Sequence, residues 1–224
     1  MPRKNKKNKK PILPKVNNQI PISRIRSIKI LGPRYYLQHA REYPFLGWWV
    51  MEGWQEEGIT PVVIARQQES NKVIYAVCLV DLYCLGNKDA YAKADLSQRK
   101  FQSELDKICI GAPEPCSVEL AHEIIYGGLE YAQRYGFEPH PDYTRQFCDQ
   151  VLDPPGTHPR KNNVAFGKNG KPFFISGPYD DERKIRFVIN SLGRTAGDGN
   201  FDVSAGLGPE YIVFMIGKGW CFQN

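Results

Sequence analysis

Val73-Ile-Tyr-Ala-Val-Cys-Leu-Val-Asp-Leu-Tyr-Cys-Leu85 contains a single charged residue, Asp81. The run is far short of the roughly 18 consecutive apolar residues that cross a membrane. It is rich in β-branched and aromatic residues, which favours a strand. Because its apolar positions occupy both phases of the pleat, it predicts a central strand covered on both faces. Thr60-Pro-Val-Val-Ile-Ala-Arg66 precedes it across the polar stretch Gln67 to Asn71, so the two segments predict a hairpin. Gly86-Asn87 can turn the chain again, and Asp89 to Ala94 can return as a third strand.

Helical periodicity appears on either side. Pro33 suits the first position of a short helix reaching about Glu42, with Leu37 and Ala40 inward. Ser97 can cap a helix to about Ile108, with Phe101, Leu105 and Ile108 inward. The strongest helix spans Ser117 to Tyr135, where Ala121, Ile124, Ile125, Gly128, Leu129 and Ala132 make one stripe and Gly136 ends it. Gly127-Gly128 inside it implies a close neighbour, most simply the central strand, because each glycine costs about 1 kcal/mol relative to alanine. Asn169-Gly170 predicts a second hairpin, pairing Val164 to Lys168 with Lys171 to Ser176. Asp180 can cap a helix carrying Ile185, Val188, Ile189 and Leu192 and ended by Gly193; Tyr211 to Ile216 reads as a last core strand. Hairpins alternating with helices, without a run of βαβ units, predict an α+β fold. The expected form is a mainly antiparallel sheet packed against two to four helices, with a disordered basic N-terminal arm.

Charge divides the chain. Residues 1–41 carry twelve Lys or Arg and no Asp or Glu, leaving 18 basic against 24 acidic residues in the remainder. The expected organisation is a disordered arm over residues 1–21 and one α+β domain over 22–224, with a sub-boundary near 150–162 as the alternative. Such an arm has too few apolar groups to offset its chain entropy, and its charge predicts a polyanionic partner. Arg3, Lys4, Lys6, Lys7, Lys9, Lys10, Lys15, Arg24, Arg26, Lys29 and Arg34 are the candidate phosphate contacts. Phe45, Trp48, Trp49 and Trp54 form an aromatic cluster that reads as a lid on the core, with base stacking as its functional alternative. Without a secretory signal or membrane-spanning run, the expected location is the cytoplasm. The six cysteines include no C-x-x-C pair, and Cys78 and Cys84 read as small buried residues in a reducing compartment.

Catalytic signals are sparse. Asp81 interrupts an apolar strand, where a carboxylate needs a partner. It is either a ligand in a nuclease-like site, with Glu119, Glu123 or Asp142, or a structural residue that lies at the strand's end or pairs with a basic group such as Lys88 or Lys93. His122-Glu123 is not H-E-x-x-H, since Tyr126 holds the second histidine's place; both residues are expected at the surface or in capping. In Gly136-Phe-Glu-Pro-His-Pro-Asp-Tyr143, two prolines bracket His140 beside Asp142. That loop is either a rigid connector or the seat of a general base or metal ligand. Phosphate-loop, dinucleotide and nucleophile-elbow motifs are missing, as is any C-x-x-C zinc pair, and no cofactor and no metal are expected.

Gly53-Trp54 through Arg66, Leu79 through Tyr91 and Tyr135 through Tyr143 together resemble an uncharacterised bacterial family, some members of which carry a C-terminal SEC-C zinc motif. Trp220-Cys221-Phe-Gln-Asn224 lacks that cysteine cluster, so the resemblance implies neither a metal nor a catalytic residue. The expected function is a nucleic-acid-binding accessory protein, RNA ahead of DNA, within a ribonucleoprotein or mobile-element assembly. The alternatives are a metal-dependent nuclease using Asp81, His140 and Asp142 with a helix carboxylate such as Glu123, and a protein-binding scaffold docking through the Trp cluster.

Overall fold

The structure, a computed structural model, describes residues 31–109, 112–206 and 212–215. The candidate arm residues from Arg3 to Lys29, the segment Ile22 to Ile30 and Cys221 lie outside these residues, as do Tyr211 and Ile216 of the expected last strand. The fold is α+β. A five-stranded antiparallel sheet has the order β4-β3-β2-β1-β5, formed by β1 (Phe45–Met51), β2 (Ile59–Gln68), β3 (Lys72–Asp81), β4 (Gly86–Ser97) and β5 (Pro113–Pro115). The predicted hairpin forms in full register, from Ile59 opposite Asp81 to Gln68 opposite Lys72. Ser70 and Asn71 turn it with positive φ.

Both faces of β3 are covered, which explains its unbroken hydrophobicity in an antiparallel setting. Ile74, Ala76, Cys78 and Val80 join a core with Ala121, Ile124 and Ile125 of α4 (Val118–Arg134). Val73, Tyr75 and Val77 join another with Phe101 and Leu105 of α3 (Gln98–Ile108). Ser97 caps α3 by accepting the Lys100 N–H, and Ser117 caps α4 by accepting that of Leu120. The edge strand β4 alternates instead, burying Ala90, Ala92, Ala94 and Leu96.

The aromatic segment after Pro44 is more than a lid: Phe45–Met51 is strand β1, hydrogen-bonded between β2 and β5. Before it, α1 (Pro33–Gln38) and a 3₁₀ turn (Ala40–Glu42) bury Leu37 and Ala40. The short helices α2 (Trp54–Glu57), α5 (Asp142–Arg145) and α6 (Cys148–Val151) complete this layer. Cys78, Cys84, Cys109 and Cys148 are buried free thiols.

The expected second hairpin is reduced to one bridge, Lys168 opposite Lys171. Asn169 and Gly170 take the positive φ values expected of the turn, but its arms bond elsewhere. Gly167 N–H goes to the Leu82 carbonyl, Phe173 N–H goes to that of Tyr83, and the Phe166 ring seats over Gly127. Strand β6 (Phe173–Ile175) instead pairs in parallel with β7 (Asp202–Gly206), which pairs with β8 (Ile212–Met215). The crossover is α7 (Glu182–Thr195), a single βαβ unit. Asp181, not Asp180, caps it, and the helix runs through Gly193; Asp180 accepts the Gly177 N–H one turn earlier. Ile185, Val188 and Leu192 pack there with Phe174, Phe201 and Val203. Among the described residues no helix is long and apolar enough to cross a membrane.

Candidate functional site

Strand β2 carries Arg66 into the body, where only 3% of it is exposed. Its guanidinium donates from Nε to the Val151 carbonyl at 2.7 Å, from Nη1 to that of Tyr43 at 2.8 Å, and from Nη2 to Asp153 Oδ1 at 2.7 Å. The Phe45 ring lies 3.7 Å from it. Burial lowers the Arg66 pKa, and Asp153 partly offsets this. The other oxygen of Asp153, Oδ2, lies 3.0 Å from His158 Nε2. Burial alone would raise the Asp153 pKa, but His158 and Arg66 hold it below the usual carboxylate range. Tyr126 of α4 donates its hydroxyl to the Asp153 carbonyl at 2.7 Å.

His122 stands one turn before Tyr126, its ring 4.5 Å from that of His158. Contrary to expectation, neither His122 nor Glu123 lies at the surface; each is 5% exposed. Burial, then the His158 charge, pushes the His122 pKa down to about 4, so its ring is neutral at pH 7. No group among the described residues hydrogen-bonds it. Glu123 anchors the same loop further along, accepting N–H groups from Lys161 at 3.1 Å, Asn162 at 2.8 Å and Val164 at 2.9 Å, plus the Asn162 amide at 3.2 Å. Burial opposes its ionisation, but these donors win and lower its pKa.

Asp81 ends β3 and organises the following turn. Its Oδ1 accepts from the N–H of Tyr83 at 2.9 Å and of Cys84 at 3.1 Å, and its Oδ2 from that of Leu85 at 3.3 Å. Burial raises its pKa against the pull of the Lys88 charge and these donors. This is the strand-end arrangement.

His140 and Asp142 do come together, and Asp89 of β4 joins them. His140 Nδ1 lies 3.8 Å from Asp89 Oδ1 and 3.9 Å from Asp142 Oδ2. The His140 N–H bonds the Asn87 carbonyl at 3.0 Å, which ties the loop to β4. Among the described residues, neither Asp81 nor Glu123 shares this cluster or the one around His122. An apolar cleft of about 390 Å³ opens beside His140, walled by Leu85, Phe137, Phe187 and Val188.

Of the candidate phosphate contacts only Arg34 is described; it lies 5.1 Å from the Phe147 ring. Next to it Tyr35, 37% exposed, stacks on His39 at 4.1 Å. Arg41 is held by the carbonyls of Leu152 and Asp149. The Trp residues divide: Trp54 is buried, Trp49 meets Phe101 edge-on, and Trp48 packs on Phe45 at 4.7 Å. A second cleft of about 520 Å³ is lined by Gln55, Tyr83, Asn162, Asn163, Lys168 and Asn169 among others. Lys168 Nζ sits 4.8 Å from the Phe173 ring and 5.7 Å from that of Tyr83.

Sequence reasoning missed Arg66, Asp153 and His158. The available signal was a cation at the end of an apolar strand; no spacing rule says that the loop from Asp153 to His158 faces His122. No protein-family model, curated protein or solved structure matches the chain.

Proposed function

We propose that this protein binds nucleic acid, RNA ahead of DNA, as an accessory component of a ribonucleoprotein assembly, using residues 1–34 for phosphate contacts. The observation that carries this reading is charge segregation. Twelve cations and no anion lie in the first 41 residues, against an excess of acidic groups in the rest. Cations concentrated on one segment release condensed counterions from a phosphate polymer without having to read its sequence.

Features of the body support RNA in particular. Unpaired bases stack on flat side chains and bond through their edges. Exposed Tyr35 and the Arg34 guanidinium offer flat faces where the cationic segment enters α1. The amide-lined cleft, with Asn162, Asn163, Asn169 and Gln55 beside Lys168, offers donors and acceptors to base edges. The nuclease alternative keeps His140 and Asp142, with Asp89, but its other carboxylates, Asp81 and Glu123, are already occupied by backbone N–H groups. The scaffold alternative keeps little of its Trp face, since Trp54 is buried and Trp49 packs on Phe101.

The test compares equilibrium binding of a labelled single-stranded RNA by the full chain and by residues 31–224. The truncated protein is expected to bind at least about 100-fold more weakly near physiological salt. Equal affinities, or no binding by the full chain, would discard the proposal.

A further inference from the structure

We infer that His122, His158 and Asp153 form a binding site for one divalent transition-metal ion, with zinc the expected occupant. The three residues offer two imidazole nitrogens and a carboxylate oxygen, all within 4.8 Å of one another. Two histidines and a carboxylate are a recurrent zinc donor set that leaves a fourth position for water.

His122 makes this more than a chance grouping. It is 95% buried, being 5% exposed, on the long helix α4, and no described group hydrogen-bonds its ring. A bound metal ion would take one of its nitrogens as a ligand. The carboxylate is oriented from behind, as ligands are in built metal sites. Arg66 holds Oδ1 of Asp153 at 2.7 Å, which turns Oδ2 toward His158, and Tyr126 fixes the Asp153 carbonyl at 2.7 Å. The side chains of His158 and Asp153 are 23% and 26% exposed, which provides an entry path.

The fit needs His122 to close in from within 4.8 Å of the other two ligand atoms. Ligand atoms around tetrahedral zinc lie about 3.3 Å apart, from bonds of about 2.0 Å; His158 Nε2 and Asp153 Oδ2 are already 3.0 Å apart. The ion takes the place of that hydrogen bond and draws in His122. Arg66 balances the one carboxylate, so affinity is expected to be lower than that of thiolate sites. The bound ion would cross-link α4 to the loop that Glu123 holds further along.

The full chain, stripped with a chelator, is titrated with Co²⁺ and then with Zn²⁺. A single equivalent of Co²⁺ should produce the visible absorption of tetrahedral cobalt, and Zn²⁺ should abolish it. Because His122 is packed in the body, His158→Asn carries the test: it should keep the circular dichroism spectrum and lose at least about 100-fold in Co²⁺ affinity. His140→Asn, in the separate Asp89 and Asp142 cluster, should bind like the parent. No tetrahedral band in the parent, an unchanged band in His158→Asn, or loss of the band in His140→Asn instead would overturn the assignment.

Discussion

Arg66 joins three segments distant in sequence. One guanidinium satisfies the carbonyls of Tyr43 and Val151 and the carboxylate of Asp153, so β2, the entry to β1 and the loop after α6 are held at one point. A planar donor fork suits such a junction better than an ammonium. Around it, ionisation states favour folding at neutral pH. The folded pKa of His122 is depressed to about 4 from 6.5. Its contribution is therefore fully present above the unfolded value and is lost as pH falls from about 6.5 toward 4. The Glu123 pKa is depressed too, so its contribution follows at lower pH, lost as protonation releases the N–H groups of residues 161–164. In the presence of a chelator, urea unfolding should show stability decreasing by roughly 2 kcal/mol between pH 7 and pH 4.5. His122→Phe should flatten that slope. A parent stability that stays constant over the interval would show that the His122 ring is not held neutral.

At the scale of elements, two glycines let neighbours approach α4 closely, β3 at Gly128 and the Phe166 ring at Gly127. A Cβ on Gly128 would come 2.7 Å from Val80 Cγ1, and one on Gly127 would come 2.5 Å from the Phe166 ring. The α4 glycine pair was legible in the sequence for this reason: two poor helix formers inside a strong helical stripe need a close neighbour. Gly193 on α7 is different, since its added Cβ would make only ordinary contact, 3.9 Å from Asp198 Oδ1. The same substitution should therefore act in opposite directions. Gly128→Ala should cost about 1–3 kcal/mol by overpacking, while Gly193→Ala should gain up to about 1 kcal/mol from helix propensity. Thermal unfolding of the two variants should separate them; destabilisation by both would place Gly193 in a tighter setting than described. Local patterns also revealed the β2–β3 hairpin, the Ser97 and Ser117 caps and the turn at Asn169-Gly170. Pairings decided at long range were not legible. Strand β6 joins β7 because Gly167 and Phe173 bond to the turn after β3, and no neighbouring residue announces that. Strand β1 was hidden because large aromatics fill both of its phases. The His122, Asp153 and His158 grouping needs α4 and a distant loop to meet, so it emerged only from the fold.

At the scale of the whole molecule, charge and hydrophobicity are distributed to different parts of the chain. The sheet, covered on both faces, takes the apolar residues, and the first 41 residues take twelve of the 30 cations. On the proposed reading, a mildly acidic body leaves most of the phosphate attraction to the cationic segment. Residues 1–30 hold ten of those twelve cations, and the number that the proposed RNA partner would engage is directly readable. For single strands, the logarithm of affinity falls with the logarithm of salt concentration by about 0.7 per phosphate contact. The most direct measurement is therefore the salt dependence of single-stranded RNA binding by the full chain and by residues 31–224. The full chain should show the steeper slope, by up to about 7 if all ten cations engage. Identical slopes would mean that the cationic segment never touches the phosphates.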